Sequence, residues 1–366
     1  MTLHFYIARK FTLYLLGILG IFGAIMALIG MVEELRDFDL GQIGVGGALH
    51  LALLKVPGDL YTILPMVTVM ATVALFLALA RSSELVVARA SGRSAMRSLV
   101  APVAVALVYG VIAVAIFNPI IAATSREYDS VSSGYKGQEA SLLSVSSEGL
   151  WLRQGSISGQ TVIRAARADA RATRFYDVTF LAFDAEGNPA WRIEAEEARL
   201  RPQGWDIRNA KRWSFGDGIE NPEARAVVSP QLVLPSDLTL ARIRDSFARP
   251  AEVAIWDLPT FISGLERAGF SALPQRVWFQ MELAMPAVMV AMVLLGAAFT
   301  MRHVRFGRTG TMVMMALGLG LGLFFLRNFA QVLGENGQIP VALAAWSPPI
   351  AGILLSLGLL LHLEDG

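Results

Sequence analysis

The sequence predicts an α-helical membrane protein with six transmembrane helices, grouped three plus three around an inserted all-β domain. Three observations lead there. Hydrophobic residues make up 54% of the 366-residue chain and charged residues only 17%, with a mean hydropathy of +0.52, a balance shifted toward lipid relative to soluble domains. The apolar excess sits in long blocks, while Arg, Lys, Asp and Glu crowd into the middle of the chain. That middle section carries the two-residue alternation of strands, bounded by turn signals.

A helix needs about 20 apolar residues to cross the hydrocarbon core. The candidates are Phe11–Val32, Leu51–Ala80, Leu99–Ile121, Val277–Thr300, Thr311–Val332 and Val341–Leu363. The first follows Arg9 and Lys10, but its apolar run exceeds a secretory h-region and no small-residue cleavage site follows, so it reads as an uncleaved span. Pro57 and Pro65 are expected to kink the second span, and Asn118-Pro119 to end the third. The organisation predicted is therefore residues 1–121 with three spans, 122–275 as the inserted domain, and 276–366 with three more.

Arg and Lys in short loops set the orientation. Arg81, Arg89, Arg93 and Arg97 follow the second span, and Arg302, Arg305 and Arg308 follow the fourth. The segment Glu33–His50 carries only Arg36, and Gly334–Pro340 carries no basic residue. Both termini and both basic loops are thus expected in the cytoplasm, with the insertion on the far side.

Within the insertion, Val178–Asp184 alternates and is followed by the turn Glu186–Pro189. Ala190–Leu200 sets Trp191, Ile193 and Ala195 on one face with charges opposite, and Gly204–Trp213 continues after Pro202-Gln203-Gly204. Such short runs predict a sandwich or an open barrel-like fold. It is either a solvated domain with its own core or the carrier of a ligand groove. Leu258, Phe261, Ile262 and Leu265 recur at helical spacing and predict an amphipathic helix, on the membrane surface or on the domain.

Several chemistries are excluded. With no cysteine there is no thiol catalysis, and the four histidines have no metal-ligand neighbour at helical spacing. A net charge of +1 lacks the basic excess of a nucleic-acid binder. No Walker A loop, H-E-x-x-H or G-x-S-x-G occurs, so neither a catalytic residue nor a bound cofactor is expected. Lys55, Asp59, Glu282 and Arg327 lie toward span ends, where snorkelling to the interface is the cheaper reading and a functional site the sharper one. The glycines 17, 20, 23, 318, 320 and 322 suit close helix packing.

The stretch Arg81–Arg97, "RSSELVVARASGRSAMR", is the most informative. Ser82 or Ser83 suits a helix cap, Glu84 its first turn, and Ser91-Gly92 its end. It is either a plain connector or a docking helix for a soluble partner.

Four motifs, "SSELVVARASG" (82–92), "VPGDLYTILPM" (56–66), "SEGLWLRQG" (147–155) and "ENGQIP" (335–340), resemble the LptF/LptG permeases of the lipopolysaccharide exporter of Gram-negative bacteria. The likeness covers essentially the whole chain, and "ELVV…ASG" and "GLW" are closer to the LptG branch. The resemblance implies a β-jellyroll domain and a heterodimer with an LptF-like permease. It also implies an LptB-like ATPase dimer that binds the ATP, an LptC-like single-span protein, and lipopolysaccharide as substrate. It assigns ATPase coupling to Glu84, Leu85, Arg89, Ala90 and Gly92. Lipid contact falls to Arg36 and Arg126, with Lys136 and Arg327 as weaker candidates, and entry is expected between first and fifth spans of opposite subunits. Asp37 departs from the family pattern, in which a second basic residue often stands there. A membrane-anchored adaptor using the β-domain to bind an envelope partner is the competing class. A secondary transporter would require ionisable residues near mid-membrane, and hydropathy places none there.

Overall fold

A computed structural model describes the chain except for residues 1, 39, 85–94, 137–142, 147–148, 157–158, 170–173, 185, 202–203, 216–220, 237–249, 268–270, 302–308 and 365–366. It divides into two units: Met1–Lys136 with Pro250–Trp256 and Leu273–Gly366, and Gly137–Arg249 with Asp257–Ala272.

The first unit is helical. Helix α1 (Thr2–Asp37) and helix α2 (Leu40–Arg81) are followed by α3 (Ala95–Ile112), which runs through a π-helical turn (Ala113–Phe117) into α4 (Asn118–Lys136). After the insertion come α6 (Leu273–Leu283), α7 (Met285–Thr300), α8 (Thr309–Glu335) and α9 (Val341–Glu364), with α5 (Leu258–Arg267) in the other unit. Among the described residues, five helices are long and apolar enough to cross a membrane. Helices α6 and α7 meet at a bend of 49° and, taken as one broken span, bring the number to six.

Two local readings change. Glu33–His50, which separates the first two predicted spans, is largely helical: α1 runs to Asp37 and α2 begins at Leu40, because Phe38, Ile43, Ala48 and Leu51 share a small apolar core with Tyr128 and Val131 of α4. Non-helical backbone angles inside α2 occur at Gly44 (φ 60°, ψ 173°), an angle pair only glycine adopts cheaply, while Pro57 and Pro65 lie inside the helix. Asn118-Pro119 does not end its helix. Pro119 lacks the N–H that would bond the Ala115 carbonyl four residues back. The Trp256 indole takes over, its Nε1–H donating to Ala115 O at 3.2 Å, while the π turn widens the backbone there.

Helix α7 is the centre of this unit. Met285, Met289, Val293 and Ala297 are buried against Val67, Ala71 and Leu75 of α2, Ala106 of α3 and Leu360 of α9. A helix apolar all round has to be enclosed by protein or lipid, and here protein encloses it. The approach is closest at Gly110, where a Cβ would stand 2.5 Å from Pro286 Cα. Of the glycines expected to serve packing, Gly23 and Gly320 meet neighbours, whereas Gly17, Gly20, Gly318 and Gly322 face open space.

The second unit holds one antiparallel sheet, seven strands among the described residues, in the order β1 (Leu143–Ser146), β2 (Gly149–Ser156), β3 (Gly159–Ala168), β4 (Arg174–Phe183), β5 (Pro189–Arg201), β6 (Gly204–Ser214) and β7 (Val227–Pro235). It is an inserted all-β layer built as a meander, with every strand beside its sequence neighbour. Its curvature has a visible cause. Pairing skips a row made of Ala166, Asp177, Glu196, Asn209 and Pro230, and Asp177 (φ 52°) and Asn209 (φ 49°) adopt left-handed angles. Across that row the buried positions step by three: Ala165 to Ala168, Phe175 to Val178, Ala195 to Ala198, and Ile207 to Ala210. Aligned irregularities of this kind bend strands as bulges do, and the crease lets one sheet curl around a core.

Trp205 fills that core, edge-on to Phe175 at 5.2 Å and to Phe180 at 5.5 Å. Helix α5 joins it through Phe261, Ile262 and Leu265, which places the amphipathic helix on the domain. Phe180→Ala is expected to destabilise this unit by about 3–5 kcal/mol. The measurement is a near-UV circular-dichroism melt of the full chain, and an unshifted melt would contradict the assigned core.

Candidate functional site

The helical unit contains two buried polar nodes and, after α2, the first three residues of the motif 82–92, Ser82 to Glu84. The first node centres on Glu282, fully buried two residues before the α6–α7 break at Ala284. The Tyr61 hydroxyl of α2 donates to Glu282 Oε2, and Asn118 Nδ2 donates to the same oxygen at 3.2 Å. Asn118 Oδ1 accepts the Ile255 N–H at 2.8 Å. One asparagine side chain thus joins the helix that leaves the bundle, the segment that returns to it, and the broken span. Arg327 of α8 lies close enough to act electrostatically on both Glu282 and Tyr61. The expectation that Glu282 snorkels to an interface is corrected: helices enclose it, because a buried carboxylate is tolerable when donors are supplied within the protein. Its Oε1 has no partner among the described residues.

The second node ties α1, α2 and α4. Glu34 is fully buried; its Oε1 accepts from Lys55 Nζ at 3.3 Å and from the Tyr128 hydroxyl at 2.9 Å. Lys55 also reaches Glu33 at 3.1 Å and lies 5.5 Å from the centre of the Tyr128 ring. This node fixes the helices that carry two of the expected lipid-contacting residues. Arg36 is exposed in the last turn of α1, two positions past Glu34. Arg126 is exposed on α4, two positions before Tyr128, with its Nε donating to the Ala122 carbonyl at 3.1 Å. Lys136 is the last residue of α4, its side chain outside the described residues. Arg327 is half-buried and belongs to the other node.

Glu84 follows α2 directly. Ser83, at φ 56°, turns the chain out of the helix, so the serines act at the end of α2. The Glu84 carboxylate accepts from Ser82 Oγ at 2.7 Å and pairs with Lys10 Nζ of α1 at 3.2 Å. Burial alone would raise the Glu84 carboxyl; hydrogen bonds from Ser82, Tyr6 and Lys10 outweigh it and hold it below the usual carboxylate range. Leu85, Arg89, Ala90 and Gly92 lie outside the described residues.

Between α1, α2 and the π turn there is also a crevice of about 320 Å³, apolar except where Tyr61 and Tyr109 contribute to its wall. Sequence reasoning missed the crevice and both nodes. Glu34 and Tyr128 are 94 residues apart and Tyr61 and Glu282 are 221, so no local spacing joins them. The one local signal is Asn118 before Pro119, a polar side chain where a helix needs outside hydrogen bonds.

Membrane-crossing helices, an internal polar framework and a β-unit inserted after the third long helix define a polytopic integral membrane protein. Comparison makes this specific. Residues 5–362 match the family described as lipopolysaccharide export system permease LptF/LptG, and the chain belongs to that family. It is 24% identical over 362 residues to lipopolysaccharide export system permease protein LptG of Haemophilus influenzae, an alignment covering 95% of this chain and 97% of that protein.

Glu282→Leu is expected to strand the Tyr61 hydroxyl and the Asn118 amide, each at a cost of about 1–3 kcal/mol, whereas Glu282→Gln keeps an acceptor for both. Thermal unfolding in detergent reads the difference. A Leu variant as stable as the parent protein would remove the node from the structural account.

Proposed function

We propose that this chain is the transmembrane permease subunit of an ATP-driven exporter that extracts lipopolysaccharide from the outer leaflet of the inner membrane and hands it to a periplasmic bridge. The observation that carries this reading is where the bundle leaves its apolar surface uncovered. In the apolar windows of α1 and α8, the first and fifth spans, 11% of residues are buried, against 39–61% in the other three continuous spans. Helix α1 exposes Leu13, Ile21, Leu28 and Ile29, and α8 exposes Met314, Phe325 and Phe329. Two faces of this kind fit a chamber formed with a second permease subunit, walled by side chains that suit acyl chains.

Arg36 and Arg126 then form a basic rim for the phosphates of the lipid, on the side of the membrane assigned to the periplasm by loop charge. Loop charge assigns the β-unit to that same side, where it would take part in handing the lipid on. At the opposite end, Glu84 and the segment after it receive the ATPase dimer, which binds and hydrolyses ATP on a separate chain. An LptF-like permease and an LptC-like single-span protein complete the assembly. The Lys10–Glu84 pair gives the docking segment a direct tie to α1, so displacement of Glu84 moves a wall of the proposed chamber.

In reconstituted vesicles, Glu84→Ala is expected to leave pairing of the permease subunits intact and to lower ATP-dependent lipid release. Release at the parental rate would sink the coupling role. Acidification below the carboxylate range should weaken the Lys10–Glu84 tie in the same direction: the depressed Glu84 pKa means the pair is formed at neutral pH and lost only as pH falls through that lowered value. For Arg36→Glu, photocrosslinking to lipopolysaccharide should fall. An unchanged yield removes Arg36 from the rim.

A further inference from the structure

We propose that the crevice between α1, α2 and the π turn is a binding site for one acyl chain of a bilayer phospholipid, separate from the exported lipid. The proposal goes beyond the transport reading and does not depend on it. The crevice, about 320 Å³, lies among residues of the first three spans, within the size range of small-ligand pockets. Its contour follows α1 from Leu15 to Gly23, about 12 Å at 1.5 Å per residue, which is a slot long in one direction. Gly20 makes the room: a Cβ there would meet no atom within 4 Å, whereas one at Gly23 would already touch Leu60 at 3.4 Å.

The far wall is the π turn, with Ala113 and Phe117 at its two ends. Single π turns inside α-helices are frequent at functional sites. Leu16 and Phe117 are each half exposed and both line the crevice, so it opens to the outside of the bundle. At span depth that outside is hydrocarbon. Water does not occupy such a space, since apolar cavities stay dry without several polar partners, and the Tyr61 hydroxyl is already committed to Glu282. A transmembrane helix about 10 Å across would need roughly 900 Å³ over the same 12 Å length, far more than the crevice holds. A single alkyl chain of the surrounding phospholipid suits the small volume, the length and the apolar lining, and it is present at the mouth at high concentration. Seated there, it wedges α1 away from the π turn.

The test uses the intact transport complex in vesicles containing a phospholipid with a diazirine in its acyl chain, with adducts mapped by peptide mass spectrometry. Adducts are expected on the α1 segment Leu15–Gly23 and at Phe117. Gly20→Leu, which fills the slot, should reduce them by about tenfold, a loss equal to ~1.4 kcal/mol of binding. A Cβ at Gly17 also meets no atom within 4 Å, and Gly17 does not line the crevice; Gly17→Leu should leave them unchanged, as should either variant for adducts around exposed Leu28. Leu60→Phe, filling from the opposite wall, should reproduce the Gly20→Leu loss and guards against misfolding of one variant. Equal labelling in the Gly20 and Gly17 variants overturns the site. So does labelling of these residues by diazirine-bearing lipopolysaccharide in place of phospholipid, or their crosslinking to a partner's helix.

Discussion

The Asn118 side chain is the contact on which the helical unit turns. An amide offers a donor and an acceptor from one rigid group, and both are used, the donor on Glu282 and the acceptor on the Ile255 N–H. The demand comes from the hydrocarbon core, where an unpaired backbone or side-chain polar group has no water to turn to. Pro119 creates such a group by leaving the Ala115 carbonyl without its helical donor, and the Trp256 indole resolves it. These bonds bring together the chain leaving the bundle at α4 and the chain re-entering it before α6.

A different constraint governs α1 and α8. The bundle spends its enclosed volume on α7, which is apolar on every side and walled by α2, α3 and α9. With α7 at the centre, the first and fifth spans fall to the periphery and keep most of their apolar residues outward. In water such faces would drive aggregation; in a membrane they are free to meet lipid or a second subunit. The polar nodes keep these peripheral helices in register, through Glu34 for α1 and through the electrostatic neighbourhood of Glu282 and Arg327 for α8.

Much of this was legible because it depends on local repetition. Hydropathy located every span, with the fourth resolved into α6 and α7 only by the structure. Alternation located β4, β5 and β6, and the face carrying Ile193 and Ala195 is the buried one. It failed to carry through to Ala198 and Leu200, since the left-handed angles at Asp177 and Asn209 shift the phase and only the pairing of neighbouring strands reveals the crease. Asn118-Pro119 reads as a helix end by its backbone chemistry. That chemistry is real, but the Trp256 indole supplies the missing donor and the helix runs on to Lys136. Of the expected site residues, Arg36 and Arg126 came from the family resemblance and Arg327 from its side of the membrane; Glu34, Tyr61 and Tyr128, which hold these helices through the two nodes, carried no signal in the sequence.

What the sequence determined by itself is that this chain crosses a membrane, that a strand-rich segment interrupts its spans, and what periodicity each segment has. Those properties follow from side-chain transfer energies and from the spacing of residues along one helix or strand. Tertiary structure decided which ionisable groups are buried, where the helices bend, which spans keep an open face, and where a crevice remains. Each depends on partners tens to hundreds of residues away, and no local pattern encodes such a partner.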